Sequence, residues 1–220
     1  MPEVGTANAG VAARAEDASI AASNPAGMAR LEKAEVMVTI QPIITDLKFQ
    51  PGAGATTTGP DGDGGVVLPA GGLFYVQPLG KDWRFGLSLG TYMGLGAKYE
   101  DDWVGRYYVQ ESALITLDVM PSISYRVNDW LSIGAGLMLQ YAYLKNKLAL
   151  NNTIFGGDGQ MEYKGDSFGV GGGGILVEPW KGTRFGLTYM SRSSKSSKTR
   201  QIFPTPSAPS IGRWPPGRAM

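Results

Sequence analysis

Residues Trp83 to Leu95, WRFGLSLGTYMGL, decide the fold because large apolar side chains occupy nearly every second position. The positions between them hold Arg, Gly, Ser or Tyr, so one face of the stretch is apolar and the other is polar or small. A period of two residues is typical of a β-strand whose two faces meet different surroundings. The stretch therefore predicts one long strand.

The same alternation recurs along the chain. It is clearest in Ala113 to Val127 and Leu131 to Tyr143, and noisier in Ala34 to Ile44, Val66 to Leu79, Phe168 to Val177 and Thr183 to Ser191. Strands of soluble sandwiches usually have about five or six residues, whereas a tilted strand across a bilayer needs roughly 9 to 11. Because these roughly seven strands are long and uniformly apolar on one face, they predict an all-β fold, a transmembrane antiparallel β-barrel.

The predicted connections alternate between short and long. Ranges 80–82, 128–129 and 178–183 are short, whereas 46–65, 97–111 and 146–165 are long. Outer-membrane barrels have short periplasmic turns and longer outer loops. The short turns carry Trp83, Trp130 and Trp180, and the long loops have Tyr99, Trp103, Tyr107, Tyr108, Tyr141 and Tyr143 near them. These two groups predict the aromatic girdles of a membrane barrel.

Composition removes several classes of site. The 220 residues include 32 Gly, no Cys and no His, with a formal charge of +1. Without histidine or cysteine the chain lacks the usual general base, the commonest metal ligand and any thiolate. We therefore expect that it is not an enzyme and binds no metal or cofactor. The chain contains no run of about 18 apolar residues, so the sequence predicts no transmembrane helix. The start, Met1-Pro2-Glu3, lacks the pattern of a signal peptide, so we expect an exported form to have lost its signal.

The two ends of the chain lack the strand pattern. Residues Ala18 to Leu31, ASIAASNPAGMARL, are rich in small side chains and predict a compact turn that packs against something larger. Pro25 pushes Asn24 toward an extended conformation, and Gly27 tolerates a positive φ. From Arg192 to Met220 there are six basic residues and no acidic one, with many Ser and Pro. That tail predicts a disordered arm or an out-of-frame end, and no other feature indicates nucleic-acid binding.

Three motifs carry a family resemblance. They are Glu16-Asp17-Ala18-Ser19 followed by Asn24-Pro25-Ala26-Gly27-Met28, then Asp102-Trp103-Val104-Gly105-Arg106-Tyr107, then PSISYRVNDWLSIGAG at 121–136. From about Gly5 to Ser191 the chain resembles the outer-membrane long-chain fatty acid transporter family, FadL and its aromatic-hydrocarbon relatives. The resemblance implies a monomeric barrel of about 14 strands in the bacterial outer membrane, surrounded by lipid and lipopolysaccharide. It also implies an N-terminal hatch that plugs the lumen, and substrate that leaves sideways past a kinked third strand.

The resemblance and the residues together predict the site. By matching, Asn24, Pro25, Ala26 and Gly27 form the hatch motif, and Gly86, Gly90 and Gly94 are places for a bend or close approach in the third strand. Apolar residues of the long loop 146–165 predict a patch that captures substrate, or else pack on other loops; they are Leu148, Leu150, Ile154 and Phe155. Polar candidates inside the lumen are Arg84, Tyr92 and Arg126, and for the two arginines a pairing with a carboxylate such as Asp17 or Asp118 is the simpler expectation.

The sequence thus predicts a hatch over 1–33, a partial barrel over 34–191 and a tail over 192–220. An open half-barrel would leave two unpaired strand edges in lipid, so we expect a truncated or frameshifted copy. The predicted function is outer-membrane uptake of long-chain fatty acids or similar hydrophobic molecules. Alternatives are an aromatic-hydrocarbon channel and a fragment without transport activity, while the plug argues against a general diffusion porin.

Overall fold

A computed structural model describes residues 7–91, 93–151, 159–169, 172–191 and 194–198, with only the backbone of 159–169 and 194–198. The helices are α1 (Ile20–Ser23) and a 3₁₀ helix (Pro25–Arg30). The strands are β1 (Glu35–Ile44), β2 (Lys48–Phe49), β3 (Gly62–Asp63), β4 (Val67–Leu79), β5 (Trp83–Gly90), β6 (Gly94–Lys98), β7 (Glu111–Arg126), β8 (Leu131–Gly136), β9 (Leu139–Leu150), β10 (Gly159–Gly169), β11 (Gly172–Trp180), β12 (Thr183–Met190) and β13 (Ser194–Lys198). Among the described residues, no helix has the length and apolarity to cross a membrane.

Eleven strands form one curled antiparallel sheet, which is half of a barrel. Its main path runs β1-β4-β5-β7-β8-β11-β12. Strand β6 continues β5 along β7, and β9 continues β8 along the same strand. Strand β10 pairs with β9 and with β13. The predicted barrel architecture is confirmed, with the chain crossing the sheet seven times along its main path.

The prediction of one unbroken strand over 83–95 is wrong in detail. Strand β5 ends at Gly90 and β6 begins at Gly94, and both pair with β7. At the break, the Met93 N–H donates to the Thr116 side chain at 2.9 Å instead of to a backbone carbonyl. The Thr116 hydroxyl thus accepts the hydrogen bond for which the Met93 amide has no carbonyl partner on the neighbouring strand.

The two faces of the sheet differ as the alternation predicted. Outward-facing side chains are apolar and exposed, as at Ile40, which is 87% exposed. Inward-facing ones include buried polar groups, as at Arg84 (3% exposed) and Ser88. A water-soluble domain rarely exposes so continuous an apolar surface, whereas a bilayer requires one.

The short turns and the aromatic residues beside them lie as predicted. Gly80 and Gly182 adopt positive φ values of 77° and 89° in two of these turns, where a side chain would be strained. Trp83, Trp130 and Trp180 are exposed at this edge of the sheet. A rim of exposed tryptophans is typical of the boundary between lipid and water.

Three further sequence predictions need correction. Trp103, predicted to belong to the aromatic girdle near the long loops, is buried with 4% of its surface exposed, because Tyr99 and Phe49 pack on its ring. The range 146–165 is not a long loop, because β9 runs to Leu150 and β10 begins at Gly159. Within the tail predicted as disordered, Ser194–Lys198 forms β13 and pairs with β10; the rest of 192–220 lies outside the described residues. Backbone pairing with a long neighbouring strand orders these polar residues, which their own side chains do not predict.

Candidate functional site

The N-terminal segment, residues 7–33, lies on the concave inner face of the sheet. Its central residues Ala18, Ala26 and Met28 have no exposed surface. They pack with Phe74, Val76 and Leu176 of the sheet in one apolar cluster. The predicted compact turn is therefore confirmed, and the larger body that it packs against is the inner wall.

Asn24 starts the 3₁₀ helix and also fixes it to the wall. Its φ and ψ of −151° and 96° are extended, as the following proline requires. The side-chain oxygen accepts from the Ala26 N–H at 3.1 Å, which caps the helix. The side-chain nitrogen donates to the carbonyls of Ala12 at 2.7 Å and of Ile175, in β11, at 3.2 Å. All three bonds of this fully buried amide are internal.

Glycines of three strands make room for the segment. A Cβ at Gly86 would overlap Met28, one at Gly134 would overlap the Pro25–Ala26 backbone, and one at Gly174 would overlap the Asn24 side chain. We call Gly86, Gly134 and Gly174 the glycine seat. Of the predicted glycine positions Gly86 is one of close approach, whereas Gly90 and Gly94 flank the strand break.

Sequence reasoning missed Gly134 and Gly174. The signal that could have found them is strand register, because both lie on the inward face of their strands and are directly opposite each other in the β8–β11 pairing. Glycine weakens a strand interior, so inward glycines paired across neighbouring strands indicate a body pressed against the wall.

Arginines hold the carboxyl-terminal end of the 3₁₀ helix. Arg84 Nε donates to the Leu31 carbonyl at 2.7 Å, and Arg126 donates to the Ala29 carbonyl. These are carbonyls of a helix end that lack helical partners. The expected pairing of these arginines with Asp17 or Asp118 is therefore wrong, because backbone carbonyls of the N-terminal segment are their partners.

Two further contacts join the segment to the wall. Arg30 forms an ion pair with Glu178, and Arg184 donates to the Arg14 carbonyl at 2.5 Å. Burial, followed by the charges of Arg184 and Arg126, lowers the pKa of Arg30. An arginine side chain remains charged at physiological pH even so, and Glu178 offsets that repulsion. A cavity of about 150 Å³ adjoins Arg30, Arg126 and Glu178 at the short-turn edge.

The strand break leaves a gap in the sheet between β4 and β6. Strand β4 pairs with β5 as far as Gly72, and the Thr91 N–H still reaches the Gly71 carbonyl at 3.0 Å. Beyond that point β4 pairs with β1, while β6 pairs with β7. Inside the gap, a Cβ at Gly96 would lie 3.1 Å from Val66 and 3.3 Å from Leu68. The apolar side chains of Val66 and Leu68 therefore fill the space between the two unpaired strands.

The remaining predicted residues are scattered or outside the described part. Leu148 and Leu150 lie half-buried in β9 and not in a loop, so they sit on the strand wall. Tyr92, Ile154 and Phe155 lie outside the described residues. The capture patch remains a prediction.

Comparison with known proteins adds to this geometry. The family model described as outer membrane protein transport protein (OMPP1/FadL/TodX) matches residues 2–202. A long-chain fatty acid transport protein of Escherichia coli O6:H1 is 27% identical over 213 residues, covering 86% of this chain and 47% of that protein. The chain therefore spans about half the length of this relative.

Two solved structures share the fold. A FadL homologue of Pseudomonas aeruginosa has a TM-score of 0.63 at 24% identity, covering 80% of this chain and 47% of that one. A mutant of the monoaromatic hydrocarbon channel TodX has a TM-score of 0.61 at 21% identity, covering 79% of this chain and 50% of that one. Both are similar to the described sheet over about half of their own length.

Proposed function

The chain belongs to the OMPP1/FadL/TodX family of outer membrane transport proteins, and from that premise we propose that it admits long-chain fatty acids or similar hydrophobic molecules through a gated, sideways route. The chain covers 47% of its E. coli relative, so the proposal concerns the closed barrel of which this sheet is part. The observation that supports it is the gap in strand pairing between β4 and β6, which apolar side chains fill.

The N-terminal segment acts as the hatch in this proposal. It lies on the inner wall, and its motif Asn24-Pro25-Ala26-Gly27 is buried against the sheet. Besides the apolar cluster, hydrogen bonds and an ion pair fasten its carboxyl-terminal end, such as Arg126 to Ala29 and Arg30 to Glu178, beside a polar cavity. Polar contacts next to water can be exchanged at a low cost in free energy, so this end of the segment can shift without unfolding the sheet.

The gap serves as the exit in this proposal. Each unpaired backbone group of a sheet costs several kcal/mol in lipid. An unpaired stretch therefore persists only where other contacts of the fold offset that cost. Here the Thr116 side chain satisfies the Met93 amide, and the Val66 and Leu68 side chains fill the space between the strands. A hydrophobic molecule that displaces these two side chains would pass between apolar groups into the bilayer.

A reversible cross-link across the gap tests the proposal. The chain has no cysteine, so Leu68→Cys with Gly96→Cys gives one pair for a short bifunctional thiol reagent. We expect uptake of radiolabelled oleate or toluene by cells carrying the protein to fall to background after cross-linking and to return with reductant. Testing both compounds also distinguishes the fatty acid from the aromatic alternative.

The matched control is Leu73→Cys with Leu89→Cys, because these residues already face each other in the β4–β5 pairing. Cross-linking this pair should leave uptake unchanged. Unchanged uptake with the gap closed would place the exit elsewhere, and no uptake of either compound by the unmodified protein would overturn the function itself.

A further inference from the structure

A row of lysines crosses the sheet near its long-loop edge. Lys145 in β9 is directly opposite Lys164 in β10, and Lys164 is directly opposite Lys198 in β13. Neighbouring strands are about 4.8 Å apart, so these positions follow one another across about 10 Å of the sheet. We call Lys145, Lys164 and Lys198 the lysine row.

Strand register places the lysine row on the outward face, which is the apolar face of the sheet. Residues directly opposite each other in an antiparallel pair lie on the same face, and Lys145 is opposite Ala113 of β7. Alternate residues of a strand share a face, so Ala113 lies on the same side as Leu117, which is apolar and exposed. By the same alternation, Tyr141 and Tyr143 precede Lys145 on the outward face of β9. The row therefore follows aromatic residues predicted for the outer girdle.

The depth of the lysine row is beyond the apolar band of the barrel. A strand with about 3.3 Å per residue and a tilt of about 45° rises about 35 Å along the barrel axis from Trp130 to Lys145. The apolar band of outer-membrane barrels is only about 25 Å tall. Because Trp130 lies at the short-turn edge, the row is at the level of the headgroups of the outer leaflet.

Like charges at directly opposite positions destabilise a sheet, so three lysines in one row require counter-charges. Glu111 forms an ion pair with Lys145 at 2.7 Å. The next row toward the long loops holds one lysine between two glutamates, Glu111, Lys147 and Glu162. On the other side of the lysine row, Asp166 is the next outward position of β10, about 7 Å along the strand from Lys164. These carboxylates occupy the flanking rows, so the lysine row itself is three consecutive positive charges.

We propose that the lysine row binds the phosphates of lipopolysaccharide, the anionic lipid of the outer leaflet. A phosphate over the middle position would be near all three lysines, and the lysine ammonium binds phosphate as a point charge. Clusters of basic residues at a membrane surface recognise anionic headgroups in the same way. The acyl chains of this lipid would lie along the exposed outward side chains nearer the short turns, such as Tyr141 and Leu117. One lipid thus meets both the charged row and the apolar face beside it.

Lipid A with both phosphates and the same lipid without them form the pair of probes, since they differ only in the phosphates. Native mass spectrometry of the full chain in dodecylmaltoside micelles counts the bound lipid as its concentration is raised. We expect binding that saturates at one lipid A per chain, and at least about tenfold weaker binding of the dephosphorylated lipid. Equal binding of the two lipids would overturn the proposal. Equally tight binding of phosphatidylglycerol would also overturn it, because the row would then bind any anionic phospholipid.

Paired variants test whether the row itself is the site. Lys164→Ala with Lys198→Ala removes two of its charges and leaves Lys145 in place, and we expect lipid A binding to weaken about tenfold or more. Lys164→Arg with Lys198→Arg keeps both charges and should bind lipid A as the parent chain does. Lys81→Ala with Lys181→Ala is the matched control, because it removes the same charge from exposed positions at the short-turn edge and should leave binding unchanged.

Three results would contradict the assignment. Equal losses in the two alanine pairs would mean that lipid A responds to net charge and not to the row. Loss of binding in the arginine pair as well would show that the positions matter for folding and not for charge. Binding that EDTA abolishes and the Lys164→Ala, Lys198→Ala pair does not affect would place the phosphates on Glu162 and Asp166 through divalent cations. Uptake through the gap between β4 and β6 does not require this lipid, so failure of either proposal leaves the other standing.

Discussion

At the scale of single residues, Asn24 illustrates why an amide and not a carboxylate precedes Pro25 in the N-terminal segment. Its nitrogen donates to two carbonyls and its oxygen accepts one N–H, with no exposed surface. Only a side chain with both donors and an acceptor satisfies all these partners.

We predict that Asn24→Asp destabilises the protein by about 2 to 4 kcal/mol, because a buried carboxylate would face two carbonyl oxygens. Asn128→Asp is the matched control, since that exposed side chain only accepts, from the N–H groups of Trp130 and Leu131. Urea unfolding in detergent, followed by tryptophan fluorescence, measures both. Equal effects of the two variants would contradict the assigned role of Asn24.

Thr116 holds the strand break through its hydroxyl. Thr116→Val keeps the shape but removes the acceptor of the Met93 N–H, whereas Thr116→Ser keeps the hydroxyl. We predict that hydrogen exchange of the Met93 amide becomes about tenfold faster in the valine variant, the effect of losing one hydrogen bond, and changes little in the serine variant. Unchanged exchange in Thr116→Val would mean that another group protects this amide.

At the scale of elements, the glycine seat joins the N-terminal segment to strands far apart in sequence. Gly174 lies on the inward face of β11 against Asn24, and Gly173, its neighbour on the same strand, has only one atom within 4 Å of a Cβ, at 3.4 Å. Replacing Gly174 removes a contact of the glycine seat, whereas replacing Gly173 changes only a glycine within the strand, so comparing the two isolates the effect of the seat.

Gly174→Ala should therefore loosen the N-terminal segment, whereas Gly173→Ala should not. We expect overpacking to cost about 1 to 3 kcal/mol and to speed hydrogen exchange of the Gly27 and Leu31 amides. Those amides donate to the carbonyls of Asn24 and Met28, within the segment itself. Similar exchange in both variants would argue that the segment does not depend on contact with β11.

At the scale of the whole molecule, the two ends of the main strand path run in the same direction. Each neighbouring pair from β1 to β12 is antiparallel, and the path contains seven strands. A second copy turned about the barrel axis would bring β1 beside β12 in parallel. Two copies of the seven described strands therefore do not by themselves close a fully antiparallel barrel, which is the arrangement of bacterial outer-membrane proteins.

From this topology we predict fast hydrogen exchange for those amides of β1 and β12 that point away from the sheet at its two edges, when this chain is reconstituted alone in vesicles. Amides of β5 and β7, paired on both sides, should exchange slowly and provide the internal comparison. Uniform protection of β1 and β12 would show that another strand covers both edges.

The family motif and the short turns were legible in the sequence because they depend on local chemistry. Pro25 determines the backbone of Asn24, and the turn between β11 and β12 requires a residue such as Gly182 that accepts a positive φ. By contrast, nothing local to Trp103 distinguishes a girdle residue from a buried one. Its environment depends on Gly62, which arrives from another loop.

The sequence by itself determined the class of fold and the sense of its faces, because a period of two residues and an apolar face are properties of each strand separately. Only the tertiary structure decided where Trp83 to Leu95 breaks, which carbonyls Arg84 and Arg126 bind, and that Ser194–Lys198 is a strand. Each of these depends on a partner distant in the chain. The free energy of such a contact depends on both segments and on their arrangement in the fold, so the sequence of one segment alone does not predict it.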